Sequence, residues 1–298
     1  MVAPDRDKLR RSFQLGRRPG RDEVPEGAPA ADAVSADGDA AELRGFLQRR
    51  RGRFEVPPKV RVELPAAHVD QTAHGPLWRR ELCHAADFVH GTALLARARQ
   101  LCGDRLALLG KDEAFRQVDP ARCLFLDTET TGLAGGAGTM VFAYGLGFFR
   151  GEQFVLEQTF LRDFGEEPAM LHHLAARLAE FPVPVTFVGK SYDRHRIHAR
   201  LAVHKIRAPV LTPLHLDLYH LVRRAHGKVL PDARLRTVEQ HLLGLQRHDD
   251  LPGSEAPAAF FDWIRDGTGP VDRVLEHNRL DVLSLVALLG ILAGTTPA

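Results

Sequence analysis

The chain has 298 residues, 44% hydrophobic and 26% charged, enough to bury at least one sizeable core in one or two domains. Its 40 Lys and Arg against 38 Asp and Glu exclude a globally basic nucleic-acid coat, so any polyanion contact falls to local patches. Three cysteines, Cys83, Cys102 and Cys123, fit neither a disulfide framework nor a zinc spacing and are expected to be reduced thiols of a cytoplasmic protein.

Residues 1–55 are rich in Ala, Gly, Pro, Asp and Arg and lack a sustained apolar period, so this arm is expected to be largely disordered. Arg10 and Arg11 before Phe13 echo a twin-arginine signal, but "PGRDEVPEGAPA" stands where an apolar stretch should come next, and no export is expected. Arg44, Arg49, Arg50, Arg51 and Arg53, with Lys59 and Arg61, form a basic cluster suited to gripping phosphates, or to being a solvated charge run at a domain edge. Residues 56–118 hold the short apolar segments "VRVEL", "ADFVHGTALLARARQL" and "RLALLG", a few strands and a helix forming an N-terminal extension that packs on the core domain of residues 119–293.

That core domain carries the sharper pattern. "CLFLDTE", "TMVFAYGLGFF" and "EQFVLEQTFL" read as three successive strands, the last two forming a hairpin about Arg150 and Gly151. "EEPAMLHHLAARLAEF" has helical spacing, with Glu166 and Glu167 at the end where the helix dipole favours anions. "PVTFVG" is a further strand, and "DRHRIHARLAVHKI", "RLRTVEQHLLGL" and "VDRVLEHNRLDVLSLVALLGIL" are helices. The apolar run Val282–Gly294 falls short of the ~20 residues of a membrane span and reads as a buried helix. The order predicts an α/β fold with a mixed central sheet flanked by helices, and a polar surface loop at "RHDDLPGSEAP".

The chemistry concentrates in "FLDTETTGL". Asp127 and Glu129 lie two apart on an apolar strand and so share one face. An isolated D-x-E commonly marks no more than a strand end meeting water. Two carboxylates drawn into a core, however, call for a compensating cation, and hard oxygen ligands suit Mg²⁺ or Mn²⁺. Two later segments add weight: "TFVGKSYD", where Asp193 starts a helix, and "EHNRLD", where His277 and Asp281 are four apart on one helical face.

In order, "FLDTETTGL", "FVGKSYD" and "EHNRLD" resemble the three motifs of the DEDD (DnaQ-like) exonuclease superfamily, whose members have a ribonuclease H-like fold. More narrowly, "GLAGGAGT", "HLDL", "LLG" and "DDLPGSEAP" resemble the bacterial YprB-type ribonuclease H-like proteins, over roughly residues 119–293 with a weaker echo from about residue 60. The resemblance implies Asp127, Glu129, Asp193 and Asp281 as ligands of two divalent ions, Mg²⁺ or Mn²⁺, and His277 as the group that activates the attacking water. It implies a 3′ to 5′ exonuclease acting on single-stranded DNA or RNA; from the short apolar run no membrane partner is expected. A weakly active nucleic-acid-binding module and a structure-selective endonuclease are the alternatives.

Two departures stand out. A proofreading histidine usually lies five before the last Asp, whereas His277 lies four before Asp281, and Val188 occupies a place where related sequences tend to carry Asn. Thr130, Thr131, Gly132 and Leu133 form a turn that in the resembling family faces the terminal nucleotide; a plain tight turn is an equal reading. Lys190 is a candidate phosphate contact or a solvated helix-start lysine, and its "GKS" is no P-loop, since Pro184 stands where that motif needs glycine. Asp217 is read first as a local cap or pairing group, and second as support for the metal shell.

Overall fold

The computed structural model describes residues 61–85, 87–132, 138–208 and 214–294. The arm 1–55 and Leu133 lie outside the described residues. Seven strands build one sheet: β1 His68–Thr72, β2 Gly75–His84, β3 Cys123–Thr130, β4 Val141–Arg150, β5 Gln153–Phe160, β6 Val183–Thr186 and β7 Leu216–Asp217. Their spatial order is β1-β2-β5-β4-β3-β6-β7. The first five pair antiparallel, while β3–β6 and β6–β7 are parallel. The expected mixed sheet is therefore present, and the segment before residue 119 contributes two of its strands rather than only packing on it.

Alternation on β3 sorts its residues between two apolar clusters. Leu124 and Leu126 join Phe142, Leu171 and Phe260, whereas Cys123 and Phe125 join Val185, Leu216 and the end of the C-terminal helix. Helices cover both sides: α1 Gly103–Gly110, α2 Glu167–Glu180, α3 Asp193–Val203, α4 Leu218–His226, α5 Leu235–Val238, α6 Ala256–Asp266 and α7 Val271–Ala293. The predicted helix over "RLRTVEQHLLGL" is split, α5 passing into a π turn at Glu239–Leu243 that ends at Gly244 in the left-handed region. Among the described residues no helix is long and apolar enough to cross a membrane.

Helix α7 positions the site. Val271, Val274 and Leu275 belong to the first apolar cluster and Val282 through Ala293 to the second, so the helix passes from one to the other around His277, Asn278 and Asp281. Its approach to β4 depends on missing side chains: a Cβ at Gly145 would fall 2.4 Å from Asn278 Oδ1, and one at Gly147 would fall 2.8 Å from Val282 Cγ1. On the opposite flank the fully buried Glu157 of β5 meets Arg79 of β2 at 3.0 Å, and Arg177 and His173 of α2 at 2.9 and 3.1 Å. Burial alone would raise that carboxyl, but hydrogen bonds from His173 and Arg177 hold it down to about 2.

Candidate active site

Residues from four segments, β3 with the turn after it, the loop entering α3, Gly253 to Pro257, and α7, line one cavity of about 540 Å³. Asp127 and Glu129 come from the end of β3, Asp193 from the first turn of α3, and His277 and Asp281 from α7. Period two keeps Asp127 and Glu129 on the face of Phe125, the side on which α7 packs. Opposite them the β3–β4 register slips between Glu129 and Thr130, a bulge that ends regular pairing where the strand enters the cavity. Thr128 and Thr130 also line it, the first hydrogen-bonded to Asp193 and the second to Tyr192 Oη at 3.0 Å.

The loop before α3 is shaped by Asp217. Its carboxylate accepts from the Val188 N–H at 2.9 Å, the Lys190 N–H at 3.1 Å and, as the cap of α4, the Tyr219 N–H at 3.2 Å. This is the local structural role that the sequence put first. Val188 sits at φ +63°, a region that β-branched residues rarely adopt. Lys190 does not line the acidic cavity: its ammonium lies 5.7 Å from the centre of the Phe115 ring. Thr130 does line it.

The segment expected as a polar surface loop instead turns three residues inward. Leu251 is buried, Arg247 reaches Asp281, Glu239 and Asp250, and Asp250 Oδ1 lies 2.8 Å from His277 Nδ1. With Nδ1 donating to that carboxylate, Nε2 is the remaining basic nitrogen, and it lies 3.7 Å from Asp281 Oδ2. Arg247 and Asp250 were not singled out from the sequence. Their only signal was the run "DDLPGSEAP", which contains Asp250; Arg247 precedes it in an ordinary polar stretch.

Electrostatics follow from crowding buried acids into one site. Burial, then the charges of Asp281, Glu129 and Asp193, push the Asp127 carboxyl well up, against an Asn278 hydrogen bond that lowers it. Burial pushes Glu129 up to about 8; His277 opposes this, and Asp281 and Asp193 add to it. Asp193 is pushed by burial to about 6, against its bond from Thr128. Burial would lower His277, but the carboxylates of Asp281, Glu129 and Asp250 outweigh it and leave the imidazole above its ordinary value.

Such mutual repulsion is what a bound cation relieves, and an all-carboxylate set suits a hard divalent ion. Among the described residues no three His, Cys, Asp or Glu side chains are already gathered as a metal-ligand cluster, for Asp281 is drawn to Arg247 and Asp193 to Thr128. The donor chemistry fits the ion, and the contacts that would exchange on its arrival are those two.

Residues 124–293 match the family described as the RNase_H superfamily. The chain is 35% identical over 166 residues to YprB of Bacillus subtilis, named as an uncharacterized protein, with 55% of this chain and 40% of that one covered. It thus spans less than half the length of that relative. Among solved structures it is similar to a family B DNA polymerase of the hyperthermophilic archaeon Pyrobaculum calidifontis, at 14% identity and a TM-score of 0.43, over 56% of this chain and 24% of the polymerase.

Proposed function

The chain belongs to the RNase_H superfamily, and from that premise we propose that it is a divalent-metal-dependent nuclease that hydrolyses phosphodiester bonds. The observation that carries the reading is the convergence of Asp127, Glu129, Asp193 and Asp281, from β3, α3 and α7, on a cavity they share with His277. These four carboxylates would hold two Mg²⁺ or Mn²⁺ ions. Such ions, when bound, acidify water and offset the negative charge that builds on the phosphate and the departing oxygen.

The protein's own groups supply the rest. Asp250 orients His277 through Nδ1, which leaves Nε2 to take a proton from the attacking water. Thr130 and Tyr192, hydrogen-bonded to each other at the cavity wall, would meet the terminal nucleotide. Direction of attack, 3′ to 5′ on single-stranded DNA or RNA, is proposed from the resemblance of the three acidic motifs to DEDD exonucleases. A cytoplasmic setting is proposed from the three free cysteines.

The test is one gel. The 298-residue chain and its Asp127→Ala variant are incubated with 5′-labelled single-stranded DNA and RNA in Mg²⁺, Mn²⁺ or EDTA. A ladder that shortens from the 3′ end, needs the metal and vanishes in the variant is expected. Discrete internal cuts would establish an endonuclease instead, and binding without cleavage would leave a nucleic-acid-binding module.

A further inference from the structure

Asp127 is held from behind. Its Oδ2 accepts a 2.8 Å hydrogen bond from Asn278 Nδ2, which also donates to the Asp127 main-chain oxygen at 3.2 Å. Asn278 is fully buried, and its Oδ1 accepts from Gln158 Nε2 at 2.8 Å; that amide also donates to the Leu275 carbonyl at 2.7 Å. Gln158, equally buried, accepts in turn from Arg80 Nε at 2.9 Å. The amide orientations are dictated by the ends of the chain, because the Asp127 main-chain carbonyl only accepts and the Arg80 guanidinium only donates.

The result is a one-way series of donors, Arg80 to Gln158 to Asn278 to Asp127, through β2, β5, α7 and β3. A cation stands at one end and a candidate metal ligand at the other, so the Arg80 bond is charge-assisted, the Asp127 bond becomes so once that carboxyl is ionised, and each bond polarises the next. The packing makes room for it, since Gly145 pairs directly with Asp127 and any side chain there would collide with Asn278 Oδ1. Arg80 lies upstream of the residues 124–293 that match the superfamily.

We propose that Arg80, Gln158 and Asn278 are positioning residues that lock Asp127 in one orientation, leaving Oδ1 for a divalent cation, so that strand β2 sets the cation affinity of the site. The proposal rests on the metal-dependent reading of the cavity. Bonds that merely tied β2 to α7 would affect melting but not cation binding.

The experiment titrates the full chain, without nucleic acid, with Mn²⁺ followed by electron paramagnetic resonance, and records melting temperatures alongside. Variants are Gln158→Leu, Arg80→Met, Arg80→Lys, the Gln158→Leu/Arg80→Met double variant, and Arg150→Ala, which loses an ion pair with Glu81 and a contact over the Phe148 ring, away from the relay. Partners behind a metal ligand typically carry a 10- to 100-fold effect. Gln158→Leu is therefore expected to weaken Mn²⁺ binding about tenfold, in the lower part of that range. Arg80→Met weakens it less, Arg80→Lys restores part of the loss, the double variant matches Gln158→Leu, and Arg150→Ala binds like the parent.

Unchanged Mn²⁺ affinity in folded Arg80→Met and Gln158→Leu overturns the proposal, as do independent effects that multiply in the double variant, or a parent chain that binds no Mn²⁺. Should Gln158→Leu fail to fold, the two Arg80 variants decide the matter, because they leave the buried amides in place. Mn²⁺ binding that responds as expected in a chain that cleaves nothing would sink the nuclease reading and leave the relay standing.

Discussion

Val188 offers a quantitative test of how the loop before α3 is built. Its backbone is left-handed at φ +63°, held there because its N–H and that of Lys190 both donate to Asp217, while its carbonyl accepts from Ser191 and Tyr192 at 3.0 and 3.1 Å. In that conformation a Cβ crowds the following carbonyl, at a cost of about 1–2 kcal/mol that glycine escapes and asparagine partly escapes. Val188→Ala keeps the Cβ and loses the valine methyls; Val188→Gly loses the Cβ as well, while Val188→Asn keeps it but offsets part of its cost. Against this, glycine loses roughly 0.5–1 kcal/mol relative to alanine through chain entropy. The expected order is therefore the inverse of an ordinary position, with Gly and Asn above Ala by about 1 kcal/mol, or about 2–4 °C in Tm for a domain of this size. Urea and thermal unfolding of the three variants measure it. An alanine variant as stable as the other two would refute the argument.

Two further outcomes concern the acids. Glu129 has a folded pKa of about 8 against 4.5 unfolded, so in metal-free protein its contribution to stability is complete below pH 4.5 and is lost as pH rises through 8. Glu129→Gln should flatten the fall in Tm between pH 5 and 9 in EDTA, and a parallel fall in both proteins would contradict the assignment. Asp250→Ala removes a negative charge that helps to raise His277, so the acidic limb of the pH–rate profile should move to lower pH. At saturating metal kcat should also drop, on the order of 10- to 100-fold; an unmoved limb would show that His277 does not titrate in the reaction.

Local patterns in the sequence determined a good deal of this protein. Alternation put Asp127 and Glu129 on one face of β3, apolar spacing marked α2 and α7, and the strand–strand–strand, helix, strand order called for a mixed sheet, all because backbone periodicity acts over a few residues. Tertiary structure alone decided what those faces meet. Gln158 and Asn278 stand 120 positions apart, Asp250 and His277 27 apart, and a polar side chain carries no local mark of the partner it will find. The same holds in reverse for Lys190, beside Asp193 in the chain yet with its ammonium over Phe115, and for "RHDDLPGSEAP", polar enough to read as surface until Arg247 and Asp250 find charged partners inside. A buried charge is stable only where the fold brings its counter-charge, and that pairing exists only once distant segments have packed together.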